Sequence, residues 1–421
     1  MSTESGVEES VPLSQNRGFR LLMGGQLASS LGEGVAAIVL PLLLLEITGS
    51  SAAAGGVSAM AMAITLILGL AAGVFADRWP RRLTLVVAAL TACAAWGVCA
   101  LLLQIGAPSL GALVAAAGIS ALAMTFFQPA QNGAVRHLVP TAQLPQAIAI
   151  DQARETTASL LGAPLGGALL VLGPAAAIAA DSAGFLIAAL CIVAISTSLG
   201  PDRVTATGDR ASQQTVIVFL RGLLADALEG VRHLWSTTAV RTCFFAACVL
   251  NVPFVGIQVG LVLGLREAGT PVYLIGLAET MSGLGAIAGA ALVGPLGRRL
   301  SLGRQIVVTA WAIGAGGALI ALVFPHIWLV LPACFLNTLF VPALNGTLMG
   351  HVFGSASEDL AGRLGAAAQV VSGLLIPLAP LLAGLLIQVA SGQVALAVFA
   401  VALVALAGVL TASPGIRRLV A

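Results

Sequence analysis

The sequence predicts an all-α integral membrane protein with twelve transmembrane helices in two pseudo-symmetric six-helix bundles. Three observations predict it. The first is composition: the 421-residue chain is 59% hydrophobic and only 9% charged, with a mean hydropathy of +1.04. Soluble domains carry about 25% charged residues. A chain this apolar has too few polar groups to cover a water-facing surface, so lipid must be its solvent. The second is twelve apolar stretches, each near the length of about 20 residues that a helix needs to cross a bilayer core. The third is a repeated heptapeptide. FQPAQNG at 127–133 returns as FVPALNG at 340–346, an offset of 340 − 127 = 213 residues, close to half the chain.

The elements follow in order. Residues 1–19 begin MSTESGVEESVPLSQN, polar and acidic. They lack the basic start and short apolar core of a secretory signal and are expected to form a cytoplasmic tail. Apolar stretches near 20–46, 52–76, 83–104, 109–136, 146–171 and 174–198 make the first bundle, 20–198. Most are too long and continuous for barrel strands, which alternate over about ten residues. Residues 199–238 are polar and then amphipathic. Leu220, Leu223, Leu224, Leu228, Val231 and Trp235 recur at helical spacing, with Arg221, Asp226, Glu229 and Arg232 between them. That pattern is expected to form an interfacial helix in a cytoplasmic linker. Stretches near 239–265, 271–297, 304–324, 327–350, 362–389 and 393–412 make the second bundle, 239–412, and 413–421 is a short cytoplasmic tail.

Orientation follows from the basic residues. All 19 are Arg, and with the N-terminus inside only Arg266 falls on the outer side, leaving 19 − 1 = 18 within. This is a strong positive-inside bias. The Arg-only, Ala-rich composition fits a bacterial plasma membrane protein. The net charge of +2 gives no ground for a nucleic-acid partner. The six Cys all fall in predicted helices without metal-ligand spacing and read as small apolar residues. No His pair, glycine-rich phosphate loop or Ser-His-Asp set stands out. The chain is therefore expected to be no enzyme, to use no cofactor and to hold no metal.

The offset of 213 also carries Ser159 onto Ser372 and Pro164 onto Pro377. Ala and Leu matches mean little in such a chain, but shared Phe, Pro, Asn and Ser at one offset mean more. Two homologous halves in the same orientation are related by an axis along the membrane normal, with substrate between them near the midplane. Both copies of the heptapeptide are expected to need the same bend and packing.

The turn after the second helix carries Gly73, Asp77, Arg78, Arg81 and Arg82. It resembles the signature of the major facilitator superfamily, G-x-x-x-D-R-x-G-R-R, with Pro80 in place of the usual Gly. Proline fixes φ and should stiffen the turn. LEITGSS (45–51), FFQPAQNGAVRHLVP (126–140), LGAPLGG (161–167) and LEGVRHLWSTTAVR (228–241) resemble the drug-efflux branch that includes macrolide and enterobactin-type siderophore exporters. The resemblance runs from about residue 18 to 415 and implies the major facilitator fold. It also implies that Asp77 faces the start of the eleventh helix and latches the cytoplasmic side in the outward-open state. Arg81 and Arg82 then need acidic partners. Asp151 and Glu155 lie one turn apart at the inner start of helix five, with Arg154 beside them. All of these are expected to form one cytoplasmic charge network; the alternative is that Asp151 and Glu155 are solvated.

Helix five carries Gly162, Pro164, Gly166 and Gly167. They resemble the antiporter motif G-P-x-x-G-G with Pro displaced by one place. Small residues permit close helix approach and Pro permits a bend, so this segment is a candidate hinge as well as a packing face. An acid in mid-membrane is costly and is a functional candidate by default. Glu33 is the first candidate for proton coupling, about 13 residues or roughly 20 Å into helix one. Gly32 and Gly34 are expected to leave space around its carboxyl. Glu279 in helix eight is the second. Asp181 and Glu46 are expected at outer helix ends, in structural or solvated roles. In this superfamily helices one, four, seven and ten line the cavity. Its polar candidates here are Gln26, Gln128, Gln131, Asn132, Asn251, Gln258, Asn337 and Asn345, and none of those helices carries an Arg at mid-depth.

The expected function is secondary active transport by alternating access. The reading is proton-coupled export of a hydrophobic or amphiphilic drug or natural product by a monomer. Its partners are then a small amphiphilic substrate, protons and membrane lipid. A siderophore exporter of the same fold is the alternative within transport. A non-transporting receptor or assembly partner is the alternative outside it.

Overall fold

The structure is a computed structural model that describes residues 12–200, 238–346, 373 and 375–413. The amphipathic segment within 199–238, the start of the eleventh stretch and both tails lie largely or wholly outside the described residues. Twelve apolar helices run along the described chain: α1 (Arg17–Thr48), α2 (Ser51–Arg78), α3 (Arg81–Gln104), α4 (Leu110–Leu138), α5 (Leu144–Leu172), α6 (Pro174–Val193), α7 (Thr238–Glu267), α8 (Val272–Arg299), α9 (Leu302–Val323), α10 (Ile327–Leu339), α11 (Leu378–Val389) and α12 (Gly392–Ala412). Eleven helical stretches are long and apolar enough to cross a membrane, and α11 is a shorter apolar helix.

Local chemistry sets several boundaries. The Asn16 side chain accepts from the Phe19 N–H at 3.0 Å and donates to the Leu138 carbonyl at 2.8 Å, so one residue caps α1 and ties it to the end of α4. Ser109 and Ser391 cap α4 and α12 in the usual side-chain-to-backbone way. Gly49 ends α1 at φ 64°, a left-handed conformation that glycine adopts without steric cost. That lets α2 start two residues later.

Packing defines two bundles. In the first, α1 lies against α5 and α6, α3 against α4 and α6, and α2 against α4. In the second, α7 lies against α11 and α12, α9 against α10 and α12, and α8 against α10. Adding six to each helix number maps the first set onto the second. The contacts between bundles, α2 with α11 and α5 with α8, map onto each other in the same way. The doubling read from the heptapeptide is thus a doubling of the whole packing scheme.

The copies are not equivalent in detail, which corrects the expectation of one shared bend. FQPAQNG sits inside the unbroken α4, with Pro129 internal. FVPALNG spans a break: α10 stops at Leu339, Phe340 is its C-cap, and helix resumes over 341–346. Likewise Pro164 is internal to α5, whereas its counterpart Pro377 is the N-cap of α11.

Lipid offers no hydrophobic drive for helix association, so small residues that allow close van der Waals packing carry it. The glycines act this way. A Cβ on Gly162 would lie 2.6 Å from the Gly34 Cα, and one on Gly25 would lie 2.8 Å from the Cys191 Cβ. By contrast Gly56 has nothing within 4 Å of an added Cβ. Gly162→Ala is therefore expected to cost about 1–3 kcal/mol through overpacking, read as a lower thermal unfolding midpoint in detergent. Gly56→Ala should leave the midpoint unchanged or raise it. Equal midpoints for Gly162→Ala and the unsubstituted protein would contradict this packing.

Candidate functional site

A cavity of about 460 Å³ lies between the bundles, walled by α1, α2, α4, α7 and α8 with Trp96 of α3 and Asp181 of α6. Ala, Val, Leu, Ile and Met side chains form most of its wall. Three carboxyls line it, Glu33, Asp181 and Glu279, and no basic side chain among the described residues does. Both proton-coupling candidates therefore face one space, from opposite halves of the molecule.

Asp181 corrects the sequence reading. It was expected at an outer helix end, yet it is 1% exposed and its Oδ1 has no hydrogen-bond partner among the described residues. It stands seven residues into α6, two helical turns or roughly 10 Å along the axis. That distance was the signal available in the sequence. The glycines beside Glu33 also differ from expectation. They do not leave room around its carboxyl; neighbouring helices occupy them. A Cβ on Gly32 would lie 2.8 Å from the Asp181 Cα, and one on Gly34 would lie 2.9 Å from the Gly162 Cα. Gly32 is what lets Asp181 sit beside the Glu33 turn.

Below the cavity a polar network knits α1, α4 and α5. Arg154 pairs with Asp151 at 3.0 Å and donates to the Ser30 hydroxyl at 2.6 Å and the Gln26 carbonyl at 3.2 Å. Gln131 donates to Gln26 Oε1 at 2.7 Å and to Asp151 at 3.4 Å. The Arg154 side chain is 9% exposed. Thus the cavity helices carry no mid-depth Arg themselves, but α5 delivers one against α1, one turn from Glu33. This network also explains one difference between the heptapeptides. Gln131 of the first copy is a buried link between helices, while Leu344 in its place in the second copy is buried in the apolar core.

Among the described residues, the turn arginines do not join Asp151 and Glu155 as the expected cytoplasmic charge network would have them do. Arg81 donates to the carbonyls of Gly133 and Leu199, and Arg82 to those of Ile195 and Thr197. Neither arginine pairs with Asp151 or Glu155, and Glu155 is exposed. The physical reason is reach. Asp151 and Arg154 point inward to α1, whereas the arginines of the α2–α3 turn lie against the ends of α4 and α6. Gly73, Asp77 and Arg78 lie in the last turns of α2, where the side chains fall outside the described residues.

Of the eight polar candidates, Gln258 lines the cavity. Gln26 and Gln131 belong to the network just described. Asn337 is buried and donates to the Ile313 carbonyl at 3.0 Å, so it joins α10 to α9. Gln128, Asn132 and Asn345 are exposed and Asn251 is half-buried, none of them on the cavity wall.

Helix α5 is packed on two sides. Gly162 and Gly166 meet α1, while Gly167 meets Tyr273 of α8 and Gly276 of α8 meets Ala163 and Pro164. Pro164 has no N–H to offer the Leu160 carbonyl four residues earlier. The Thr280 hydroxyl of α8 donates to the Gly276 carbonyl of its own helix at 3.0 Å and lies 3.4 Å from the Leu160 carbonyl, a weaker shared contact across the boundary between halves. Leu160 lies near the middle of α5; the other described bonds between halves lie at one end, that of the α1–α2 and α7–α8 turns. Ser51 donates to Glu267 at 2.7 Å, Ser50 and the Ala52 N–H donate to Gln388 at 2.7 and 3.1 Å, and Glu46 pairs with Arg266 at 3.8 Å. Toward the other end of α5, Ile148 and Ile150 are exposed.

Two six-helix bundles closed against each other at one end, around a central cavity, define a multi-pass membrane protein of transporter architecture. Residues 22–380 match the Major Facilitator Superfamily, and the chain belongs to that superfamily. It is 24% identical over 289 residues to the uncharacterized MFS-type transporter YfiS of Bacillus subtilis (strain 168), a match covering 67% of this chain. The chain spans 65% of the length of that curated relative. Among solved structures it is similar in fold to the nucleoside transporter NupG. The TM-score is 0.72 at 14% identity, over 94% of this chain and 98% of the other. A bacterial homolog of the human lysosomal transporter Spinster, in an inward-facing and occupied conformation, gives a TM-score of 0.70 at 13% identity over 97% and 98% of the chains.

Thr280→Val, which keeps the shape and removes the hydroxyl, is expected to destabilise the protein by about 1 kcal/mol, read by thermal unfolding in detergent. Thr280→Ser should restore the midpoint. If Val and Ser variants behave alike, the Thr280 hydroxyl has no weight at this boundary.

Proposed function

We propose that the protein is a proton-coupled exporter of a hydrophobic or amphiphilic drug or natural product, working by alternating access. Membership of the superfamily supports transport as the class; transport, direction, coupling ion and substrate together are this proposal. The observation that carries it is the cavity between the halves, apolar in most of its wall and bearing Glu33, Asp181 and Glu279. Carboxyls at such depth are expensive unless they serve the transport cycle. A site that bears three acids, with no basic side chain among the described residues on its wall, disfavours an anionic siderophore, which would want Arg for bidentate hydrogen bonds. It also gives a receptor or assembly role no reason to keep three costly acids.

In this reading the termini are cytoplasmic, following the arginine bias, and the chain works as a monomer in a bacterial plasma membrane. The closed end with Glu46, Arg266 and Gln388 then faces outward. Glu33 carries the coupling proton, with Glu279 as the second site. The signature at Gly73–Arg82 with Asp77 closes the inner side in the opposite state.

The test is efflux from proteoliposomes under an imposed pH gradient, with a panel of amphiphiles. Substrate should move against its gradient as ΔpH collapses. Glu33→Gln is expected to lower gradient-driven efflux by about a hundredfold, equivalent to about 2.7 kcal/mol, while leaving substrate binding within about threefold. Coupled efflux at the normal rate in that variant would remove Glu33 from the mechanism. Asp77→Asn should abolish transport in protein that still inserts and elutes as a single species; full transport there would refute the latch.

A further inference from the structure

Four chain segments meet at the end of the first bundle opposite the α1–α2 turn, the inner end in the orientation set by the arginine bias. Asn16 at the start of α1 donates to the Leu138 carbonyl at the end of α4 at 2.8 Å. A Cβ on Gly18 would lie 3.0 Å from the Leu138 Cδ2 and 3.1 Å from the Thr197 Oγ1, just past α6. From the start of α3, Arg82 donates to the Ile195 and Thr197 carbonyls and Arg81 to those of Gly133 and Leu199. The starts of α1 and α3 and the ends of α4 and α6 thus form one corner. Arg17, Arg20, Arg136 and His137 stand on it, all exposed, and none of them forms an ion pair with a described residue. No Asp or Glu occurs in residues 12–20, 79–84, 130–143 or 194–200. The N-termini of α1 and α3 add the positive ends of their dipoles. The corner therefore carries cationic charge that no acid in these segments balances.

Apolar surface leads away from this corner. Helices α3 and α6 pack together, and each has an exposed stripe at i, i+4 and i+7: Leu83, Val87 and Leu90 on α3, and Leu186, Leu190 and Val193 on α6. Both stripes begin at the corner. Leu83 follows Arg82, and Val193 lies two residues before Ile195, whose carbonyl accepts from Arg82. Each stripe rises roughly 10 Å, against roughly 15 Å for the hydrocarbon of one leaflet. Exposed apolar stripes alone would describe any lipid-facing helix. The unbalanced charge at their head is what selects among occupants: a soluble anion gains nothing from the stripes, and a neutral lipid gains nothing from the arginines.

We propose that this corner is a binding site for an anionic phospholipid of the cytoplasmic leaflet. Arg17, Arg20 and Arg136 hold its phosphate, with His137 beside them, and its acyl chains lie along α3 and α6. Arginine suits the phosphate because its guanidinium presents paired donors. Basic groups at a membrane surface attract anionic headgroups, and here they are gathered on helix ends that Asn16, Arg81 and Arg82 already tie together. The bound lipid braces the starts of α1 and α3 against the ends of α4 and α6, all within one bundle. The site stands apart from the central cavity and does not depend on what is transported.

The experiment is native mass spectrometry of the purified full-length protein, titrated in detergent with three probes. They are phosphatidylglycerol, phosphatidylcholine with the same acyl chains, and glycerol 3-phosphate. Phosphatidylglycerol should bind at least about tenfold more tightly than phosphatidylcholine, and glycerol 3-phosphate should not bind measurably. A basic residue near an anionic headgroup is worth about fivefold in affinity. Arg17→Gln combined with Arg136→Gln should therefore weaken phosphatidylglycerol by about tenfold or more and leave phosphatidylcholine within about twofold. Arg298→Gln combined with Arg299→Gln, at two exposed positions ending α8 in the second bundle, should leave both lipids unchanged. The probe series on the unsubstituted protein decides the class even where the first double variant does not fold. Equal affinity for the two lipids overturns the proposal, as does glycerol 3-phosphate binding as tightly as the anionic lipid, which would mean a site for soluble phosphate. Undiminished phosphatidylglycerol binding in the folded Arg17→Gln, Arg136→Gln protein overturns it too. So does an equal loss in both double variants, which would mean diffuse attraction to basic residues in place of a site.

Discussion

The structure turns on how closely α5 approaches its two neighbours. On one side Gly162 meets Gly34 of α1 almost backbone to backbone; on the other Gly167 and Pro164 meet Tyr273 and Gly276 of α8. In lipid, where apolar surface gains nothing by leaving the solvent, such contacts supply much of the force that holds helices together. The same helix therefore belongs to the core of the first bundle and to the boundary between bundles. Because α5 pulls α1 close, the Glu33 turn is fixed. Because it pulls α8 close, Glu279 reaches the same cavity. Pro164 leaves the Leu160 carbonyl without its helical N–H at this crossing, and the Thr280 hydroxyl of α8 lies 3.4 Å from it while also reaching the Gly276 carbonyl at 3.0 Å.

A boundary made of small residues and a few hydrogen bonds suits a protein that must open it. The bonds at the closed end are modest: serine hydroxyls to Glu267 and Gln388, and one loose, partly exposed pair between Glu46 and Arg266. Exposed ion pairs contribute about 0–1 kcal/mol. The closure is thus cheap to release, as the proposed alternating access would require. The network of Arg154, Asp151, Gln26 and Gln131 is a different kind of object. It lies within one bundle, is largely buried, and keeps α1, α4 and α5 moving as a unit.

Much of this was legible in the sequence, and the rest was not, for physical reasons. Helix positions follow from apolar run length, and the twofold doubling follows from Phe, Pro, Asn and Ser at one offset. Glu33 and Glu279 stand out because charge within a span is rare. Asp181 carries the same signal, yet sequence distance from a helix end was read as depth at the surface. What surrounds a residue depends on the other helices, and no periodicity reports that. So Gly32 and Gly34 looked like open space when α6 and α5 fill it. Arg154 and Arg81 were both placed in one cytoplasmic charge network, although one turns into the bundle and the other binds backbone carbonyls. Gln131 against Leu344 was visible as a difference between copies; its meaning needed the partners Gln26 and Asp151.

The central claim is that closure of the halves at the end with Ser50 and Gln388 is one of two alternating arrangements. Its most direct measurement is a pair of electron-spin distances in nanodiscs, one between labels at positions 50 and 388, the other between labels at 148 and 297. The first pair should be short and the second long in the substrate-free protein, and imposing substrate and a change of pH should exchange them, one lengthening as the other shortens. Distances that stay fixed under every condition, or that lengthen together, would contradict alternating access about this boundary.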